Sequence, residues 1–309
     1  MELIRPEELF KDGVSPSSVK EWLLCRRRWY NNRVRGLKEE SAGYAGFGKA
    51  IHNFLEQWHS PKVSPNLKEL VEGFRKDFPT SMDTDSRSQD LGVKIIHKYV
   101  EIYPRESEPF KVIELEKEII VPLEGMVVPL HIVVDGIIEY QGGLWVIEHK
   151  STSRLGADFF TQFRNDYQIY AYLEGVSVAL GKRIEGVLMN GIGCKKKVDR
   201  ESFLRNDEVG CKGKVQVDYH MGHFKKIVNE MVEFVMKNWK DVEAFTPSSG
   251  GNSCKSYNTQ CPYLRVCEYM DSEIFLNEIK RRKEENGDHD KGQSGEESDA
   301  VDGRGKLVA

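Results

Sequence analysis

Residues 127–150 read VVPLHIVVDGIIEYQGGLWVIEHK, and the rest of the chain is organised around this stretch. Runs rich in Val, Ile and Leu cover residues 129–135 and 144–150, and a glycine-containing break separates them at 141–143. Such runs on either side of a short glycine-containing break are typical of a β-hairpin. The stretch therefore predicts two paired strands.

Charged residues stand where the two predicted strands end, namely Asp135, Glu148 and Lys150. Along a strand, residues i and i+2 point to the same face, so Glu148 and Lys150 project together. If the hairpin pairs in register, Asp135 lies across from them. Two carboxylates with a phosphate suit Mg²⁺, which can polarise that phosphate and activate a bound water. A salt-bridged hairpin tip is the alternative that this spacing leaves open.

The composition predicts a soluble globular protein. The chain has 309 residues, a net charge of −4 and 39% hydrophobic residues. Mild acidity means that contacts to nucleic acid would come from local basic patches. No apolar run reaches the roughly 18 residues that span a bilayer, and the N-terminus lacks a signal peptide pattern. We therefore expect a cytoplasmic protein without a membrane partner.

Helical and strand patterns alternate around the hairpin. Helices are expected at residues 17–34, 49–60, 66–78, 88–103, 157–181 and 222–242, and further strands at 110–121, 184–191 and 215–219. The strand–helix–strand succession after the hairpin favours a mixed β-sheet. Residues 1–14 are expected to form a lead-in. Residues 281–309 are charged and glycine-rich, which predicts a disordered tail.

Two groups of basic residues are candidate contacts to nucleic acid. One lies among aromatic side chains in the first predicted helix, and the other lies in a predicted loop. They consist of Arg26, Arg27 and Arg28, and of Lys195, Lys196 and Lys197. Arginines interleaved with aromatics suit phosphate contacts and base stacking. A solvated helix face is the ordinary alternative.

The six cysteines predict a metal site, because structural disulfides are rare in the cytoplasm. Cys254, Cys261 and Cys267 fall within 14 residues, and Cys25 is the candidate fourth ligand. Four thiolates suit a 4Fe–4S cluster or a zinc ion. Structural zinc sites typically use close CxxC pairs, which this sequence lacks, so the spacing favours the cluster. Unliganded thiols remain a further alternative.

Taken together, several segments resemble the RecB-like branch of the PD-(D/E)xK nuclease superfamily. The similarity is to AddB-type nuclease domains, CRISPR-adaptation exonucleases and related phage nucleases. The matching segments, in chain order, are Ser17–Tyr30 around Cys25, Gly48–Glu56 (GxxxHxxxE), Asp135-Gly136, Glu148-His149-Lys150, Gln168–Tyr172 (QxxxY) and Cys261–Cys267. One departure is that six residues separate Cys254 from Cys261, where AddB-like patterns have CxxC.

The resemblance implies an α/β fold with a restriction-endonuclease-like core across residues 15–280. In such a core a central mixed β-sheet is flanked by helices, and the iron–sulfur cluster would join the N- and C-terminal helical segments. The implied activity is Mg²⁺- or Mn²⁺-dependent hydrolysis of DNA, as an exonuclease acting on single strands or single-stranded ends. Recombination, repair, phage DNA processing or CRISPR adaptation would be the setting, with a helicase or recombination protein as partner.

The resemblance also implies roles for individual residues. The implied metal ligands are His52, Asp135, Glu148 and the backbone carbonyl of His149. Lys150 would hold or activate the attacking water, Gln168 would orient Lys150 or the phosphate, and Tyr172 would stack or bond nearby. Glu56 and Glu116 are candidates for supporting roles around the metal.

Two other kinds of protein compete with the nuclease. One is a non-catalytic DNA-binding module, and the other is an adaptor of a recombination complex stabilised by a metal–cysteine staple. The intact set of Asp135, Glu148 and Lys150 favours the enzyme.

Overall fold

The computed structural model describes residues 3–37, 43–248, 251–256, 259–269 and 307–308. The chain forms two compact units, each built from separated stretches of sequence. The first unit comprises residues 1–40, 122–131 and 224–303. The second unit comprises residues 41–121, 132–223 and 304–309. Among the described residues, no helix combines the length and apolar character needed to cross a bilayer.

The central sheet is mixed, as predicted. Its main strands are β1 (Lys111–Val121), β2 (Leu130–Tyr140), β3 (Gly143–Thr152), β4 (Ile184–Gly193) and β5 (Phe203–Asn206). They lie in the order β5-β4-β3-β2-β1. β3 runs antiparallel to β2 and parallel to β4, and β5 is antiparallel to β4.

The tail contributes one described element. Leu307–Val308 pairs in parallel with β1 at the edge of the sheet. The other residues of the tail that was expected to be disordered lie outside the described part of the chain.

The hairpin at residues 127–150 forms where the sequence predicts it. Tyr140 pairs with Gly143, so a two-residue loop of Gln141 and Gly142 joins the strands. Both loop residues have positive φ, 52° and 79°, which matches the twist of a tight hairpin turn. The register runs to Gly136 opposite Ile147. Asp135 and Glu148 form the next opposite pair, so they lie just beyond the end of this pairing.

Helices cover much of the remaining chain, as predicted for a sheet flanked by helices. The α-helices are α1 (Pro6–Leu9), α2 (Pro16–Leu24), α3 (Arg26–Arg33), α4 (Tyr44–His59), α5 (Leu67–Asp77), α6 (Gln89–Ile102), α7 (Tyr167–Leu180), α8 (Lys214–Asn238), α9 (Gly251–Cys254) and α10 (Leu264–Glu268). α7 connects the parallel strands β3 and β4 along the chain. In the second unit, α4, α5 and α6 share one hydrophobic core with residues of β4 and β5.

The helix predicted at residues 17–34 is in fact two helices, because the chain breaks at Cys25. This residue has an extended backbone, with φ −165° and ψ 113°. Its Sγ accepts a hydrogen bond from the N–H of Arg28 at 3.5 Å, and so caps the start of α3. A side chain that satisfies a free N–H group favours a new helix start over continuation.

Two other predicted elements differ from the structure. The helix expected at residues 157–181 consists of a 3₁₀ segment, Ala157–Phe163, followed by α7, whose start is capped by Asp166. The strand expected at residues 215–219 is wrong, since these residues lie in α8. Short β-branched runs cannot be assigned to strand or helix by periodicity alone.

Glycine permits the close approach of α5 and α6. A Cβ atom at Gly92 would lie 2.0 Å from Cζ of the buried Phe74 ring, whereas one at Gly73 would lie 3.6 Å from Gln57. We expect Gly92→Ala to lower the free energy of unfolding by about 1–3 kcal/mol through overpacking. Gly73→Ala, the matched control, should raise it by up to about 1 kcal/mol through helix propensity. Urea unfolding measures both, and equal effects would contradict the packing.

Candidate active site

Asp135, Glu148 and Lys150 lie together at the end of the β2–β3 pairing. The N–H of His149 donates a hydrogen bond to Oδ2 of Asp135 at 2.6 Å. The ammonium of Lys150 donates to Oε1 of Glu148. The hairpin register therefore gathers two carboxylates and an ammonium, as the sequence predicts.

Two further side chains reach this cluster from neighbouring elements. His52, on α4, places Nδ1 3.2 Å from Oδ1 of Asp135. Glu116, on β1, belongs to the same group, because ligand atoms of His52, Glu116 and Asp135 all lie within 4.8 Å of one another. Glu56 lies on α4 one turn after His52, and its charge contributes to the raised pKa of Glu116.

α7 supplies Gln168 and Tyr172 to the same place. Nε2 of Gln168 donates to Oε1 of Glu148 at 3.1 Å and to the Tyr172 hydroxyl at 2.6 Å. Oε1 of Gln168 accepts from Lys150 at 3.3 Å. The Tyr172 hydroxyl in turn donates to the carbonyl of Val133 at 2.9 Å. These bonds hold the Lys150 ammonium against the sheet.

The contact between His52 and Asp135 favours the charged form of each group. Burial favours the neutral acid, but the hydrogen bond and charge of His52, together with His149, lower the pKa of Asp135 to about 2. Burial also opposes the charge on His52, yet Asp135 and Glu148 outweigh it and raise the pKa of His52. A carboxylate that stays ionised here is available as an oxygen ligand.

The pKa values of Glu148 and Glu116 are raised, in contrast to that of Asp135. Burial and then the nearby Asp135 charge raise the pKa of Glu148, which Lys150 only partly offsets. Burial, Asp135 and Glu56 raise the pKa of Glu116 to about 7. Oε2 of Glu148 is buried and has no hydrogen-bond partner among the residues that the structure describes. The site therefore holds more negative charge than its own cations compensate.

The resemblance gives Glu116 a supporting role, but the periodicity of β1 does not predict that it lies beside His52 and Asp135. Strict alternation along β1 predicts that Glu114, Glu116 and Glu118 share a face, but Glu116 has a left-handed φ of 44°. That conformation is rare for a residue with a side chain and costs free energy. It interrupts the alternation, and no pattern in the sequence announces it.

The predicted cysteine ligands all belong to the first unit. Sγ of Cys25 accepts from the N–H of Arg28 at 3.5 Å and of Ser248 at 3.4 Å. The N–H of Cys261 donates to the carbonyl of Cys254 at 2.8 Å. Burial raises the pKa of Cys261, against the effect of a backbone hydrogen bond and of Arg28, and the Cys25 and Cys254 thiols raise it further. The Cys25 and Cys254 thiols are thus both within electrostatic range of Cys261.

The other two cysteines differ from these four. Cys194 and Cys211 belong to the second unit. Cys194 is buried and Cys211 is exposed.

The basic residues predicted to contact DNA occupy different environments. Arg26 is exposed, with its guanidinium 4.8 Å from the Trp22 ring centroid. Arg28 lies 3.5 Å from Glu21. Arg27 is buried, and its Nε donates to the carbonyl of Phe245 at 2.7 Å, so it packs within the first unit instead of facing a ligand.

The predicted loop lysines are open to solvent. Lys195, Lys196 and Lys197 are all exposed. Lys195 donates to the carbonyl of Leu155, and Lys197 pairs with Asp199 at 3.0 Å.

The chemistry of the site follows from its donors. Carboxylate oxygens are the ligands that Mg²⁺ and Mn²⁺ prefer, one imidazole lies beside them, and thiolates are absent from the described part of this cluster. An ammonium beside the carboxylates can stabilise charge that develops on a phosphate.

Comparisons with known proteins agree with this chemistry. A family model described as the PD-(D/E)XK nuclease superfamily matches residues 13–268. No curated protein matches the chain. Among solved structures, one described as "Crystal structure of SSO0001" is 14% identical and covers 68% of this chain and 73% of its own, with a TM-score of 0.30.

Proposed function

Because this chain belongs to the PD-(D/E)XK nuclease superfamily, we propose that the site around Asp135 and Glu148 hydrolyses DNA with a bound Mg²⁺ or Mn²⁺. The proposal rests chiefly on Oε2 of Glu148, which is buried without a hydrogen-bond partner among the described residues. A buried, unpaired carboxylate oxygen is costly unless a cation binds it. The neighbouring Asp135 and Glu116 make a cation the fitting ligand.

We infer that His52, Asp135 and Glu148 bind the ion together with the carbonyl of His149. Glu116 is a further carboxylate ligand, since it lies within the same 4.8 Å group as His52 and Asp135. Hard oxygen donors with one imidazole suit Mg²⁺ or Mn²⁺.

The chain's own residues divide the chemistry between them. A divalent ion, when bound by these residues, would lower the pKa of a water and polarise the scissile phosphate. Lys150, held by Glu148 and Gln168, orients the attacking water and compensates the charge that grows on the phosphate. Gln168, itself bonded to Tyr172, keeps Lys150 in place.

We further propose that the substrate is single-stranded DNA or a single-stranded end, and that the enzyme is an exonuclease of the RecB-like branch. The sequence motifs that resemble this branch, and their order along the chain, support this proposal. The exposed lysines at 195–197 and the exposed Arg26 beside Trp22 support it as well. A helicase or recombination protein would supply unwinding, and the cytoplasm would be the place of action.

Labelled DNA tests the proposal. Single strands carrying 5′ or 3′ labels, and matched duplexes, are incubated with the protein and Mg²⁺ or Mn²⁺. We expect stepwise shortening from one end of single strands, and none with a chelator. Binding of DNA without any cleavage in either metal would contradict the nuclease and favour the binding module.

Lys150→Ala is expected to separate chemistry from metal binding. Cleavage under single-turnover conditions should fall by roughly 10²–10³-fold, the loss typical of one charge-stabilising donor. Mn²⁺ binding measured by calorimetry should persist, because the carboxylates and His52 are unchanged. Lys98→Ala is the control, since Lys98 pairs with Glu101 on α6, outside the cluster. Wild-type turnover in Lys150→Ala would exclude this role.

We also propose that four cysteines of the first unit hold a 4Fe–4S cluster. They are Cys25, Cys254, Cys261 and Cys267. Tetrahedral zinc, with Zn–S near 2.3 Å, places its sulfurs about 3.8 Å apart. Structural zinc sites typically use close CxxC pairs, which this sequence lacks, and this supports the cluster over zinc. The N–H groups of Arg28 and Ser248 at Cys25 would stabilise a thiolate there.

A further inference from the structure

A row of polar side chains crosses the sheet on the face opposite to Glu148 and Lys150. His149 of β3 pairs with Asn190 of β4, and Asn190 pairs with Arg205 of β5. Side chains opposite each other on adjacent strands share a face, and successive residues alternate between faces. His149 therefore projects away from its two neighbours.

Three more polar residues complete this group, which we name the His149 network. It consists of His59, Tyr99, Glu108, His149, Asn190 and Arg205. Tyr99 and Asn190 are 0% exposed, and the side chains of Glu108 and Arg205 are 5% and 12% exposed. Buried polar networks generally stabilise a fold no better than apolar packing of the same volume. A network of this size therefore points to a positioning role.

The ion pair of Arg205 and Glu108 anchors the network. Two guanidinium nitrogens donate to the two carboxylate oxygens at 2.5 and 2.9 Å. Nε of Arg205 lies 3.5 Å from Oδ1 of Asn190. Because arginine only donates, this contact fixes the amide oxygen of Asn190 towards Arg205. The amide NH₂ group then donates to the Tyr99 hydroxyl at 3.0 Å and to Nδ1 of His149 at 2.9 Å.

The hydrogen bonds of the Tyr99 hydroxyl fix which nitrogen of His59 carries a hydrogen. It accepts from Asn190 and from Arg205, the latter at 3.2 Å. Its own hydrogen must then go to Nε2 of His59, 3.0 Å away. His59 carries its hydrogen on Nδ1, which faces Glu108 at 3.8 Å. His149 accepts at Nδ1 and so carries its hydrogen on Nε2.

The backbone of His149 links the network to the proposed metal site. The N–H of His149 donates to Asp135 at 2.6 Å, and its carbonyl is one of the proposed ligands. The His149 ring also lies parallel to the His59 ring, with centroids 5.8 Å apart. Movement of the His149 ring would thus move the peptide between Glu148 and Lys150.

We propose that the His149 network positions the metal site by fixing the β3 segment that carries Glu148, the His149 carbonyl and Lys150. This inference rests on the proposed function, because it concerns how tightly the chain binds its ion. Tyr99 and Asn190 are positioning residues, since they contact neither the proposed ligand atoms nor the substrate. Outer partners of this kind typically change metal affinity or activity 10–100-fold.

Two hydroxyl deletions near the end of α6 test the proposal. Tyr99→Phe removes the hydroxyl that three members of the network share. Tyr103→Phe is the matched control, because its ring stacks on Arg205 with the guanidinium 3.8 Å from the centroid, while its hydroxyl makes none of the bonds above. Calorimetry without DNA should show Mn²⁺ dissociation constants roughly tenfold higher for Tyr99→Phe. Tyr103→Phe should stay within about twofold of wild type. Saturating Mn²⁺ should restore cleavage by Tyr99→Phe.

A second variant covers the case in which Tyr99→Phe does not fold. Asn190→Asp keeps the size of the side chain but replaces the donor at Nδ1 of His149 with an acceptor. We expect weaker Mn²⁺ binding and, by ¹⁵N NMR of the imidazole, transfer of the hydrogen from Nε2 to Nδ1. Wild-type Mn²⁺ affinity in the folded variants would overturn the network's role alone. Failure of the wild-type protein to bind Mn²⁺ would overturn the proposed function as well.

Discussion

Asp135→Asn and Glu148→Gln are both expected to abolish cleavage, by at least about a thousandfold. A bound metal ion contributes several kcal/mol to transition-state stabilisation, and each 1.36 kcal/mol is tenfold in rate. Mn²⁺ binding should be lost with the activity, because each substitution removes an ionised oxygen ligand. Single-turnover cleavage and calorimetry measure the two effects.

The stabilities of these two variants should change in opposite directions. The pKa of Asp135, about 2 against an ordinary 3.8, means that its charge stabilises the folded state at neutral pH. Asp135→Asn should therefore cost about 2 kcal/mol of unfolding free energy. The pKa of Glu148 is raised, so its charge destabilises the fold. Glu148→Gln should unfold at the wild-type temperature or higher, with Lys150 still bonded to Gln168.

Glu118→Gln is a suitable control for both variants, because Glu118 lies on β1 outside the group formed by His52, Glu116 and Asp135. It should keep wild-type cleavage and Mn²⁺ affinity. Retention of cleavage by Asp135→Asn or Glu148→Gln at saturating metal would show that the active site lies elsewhere.

Cys25→Ala is expected to have the largest effect on stability. Cys25 precedes the sheet and its three proposed partners follow it, so a shared cluster closes a loop of more than 200 residues. In the chain-entropy model, a crosslink over such a loop stabilises by about 5 kcal/mol. The variant should lose bound iron and the broad absorbance near about 400 nm expected of a thiolate cluster, and it should unfold at a much lower temperature.

Cys211→Ala provides the control for this substitution. Cys211 is exposed and belongs to the second unit, so iron content and unfolding temperature should remain those of wild type. If the wild-type protein is colourless and contains one zinc per chain, the cysteines hold a zinc ion instead of the cluster. If Cys25→Ala contains as much iron as wild type, Cys25 is not a ligand of the cluster.

Local sequence patterns were sufficient for the hairpin and the residues at its end. The period of two fixes which residues of a strand share a face, and the glycine-containing break fixes the turn. Once β2 and β3 pair in the register that this turn imposes, Asp135 has to meet Glu148 and Lys150. The GxxxH and QxxxY spacings likewise lie on helices, where one turn separates His52 from Glu56 and Gln168 from Tyr172.

The sequence patterns did not predict the helix break at Cys25 or the helical conformation of residues 215–219. Cys25 ends one helix and caps the next, although the surrounding residues have helical periodicity. Residues 215–219 contain two valines but begin α8, whose buried side chains, such as Phe224 and Val228, lie further along the helix. At Cys25 a capping hydrogen bond outweighs the local preference, and at residues 215–219 the local preference gives way to the longer helix.

By itself the sequence determined the hairpin, the mixed sheet with its helices, and the carboxylate–lysine cluster. Only the tertiary structure decided that Glu116 joins His52 and Asp135, through a left-handed backbone at one position of β1. The same holds for the His149 network, whose members come from α4, α6, three strands and the loop before β1. Periodicity encodes the direction of a side chain within its own element, whereas contacts between distant elements depend on how those elements pack together.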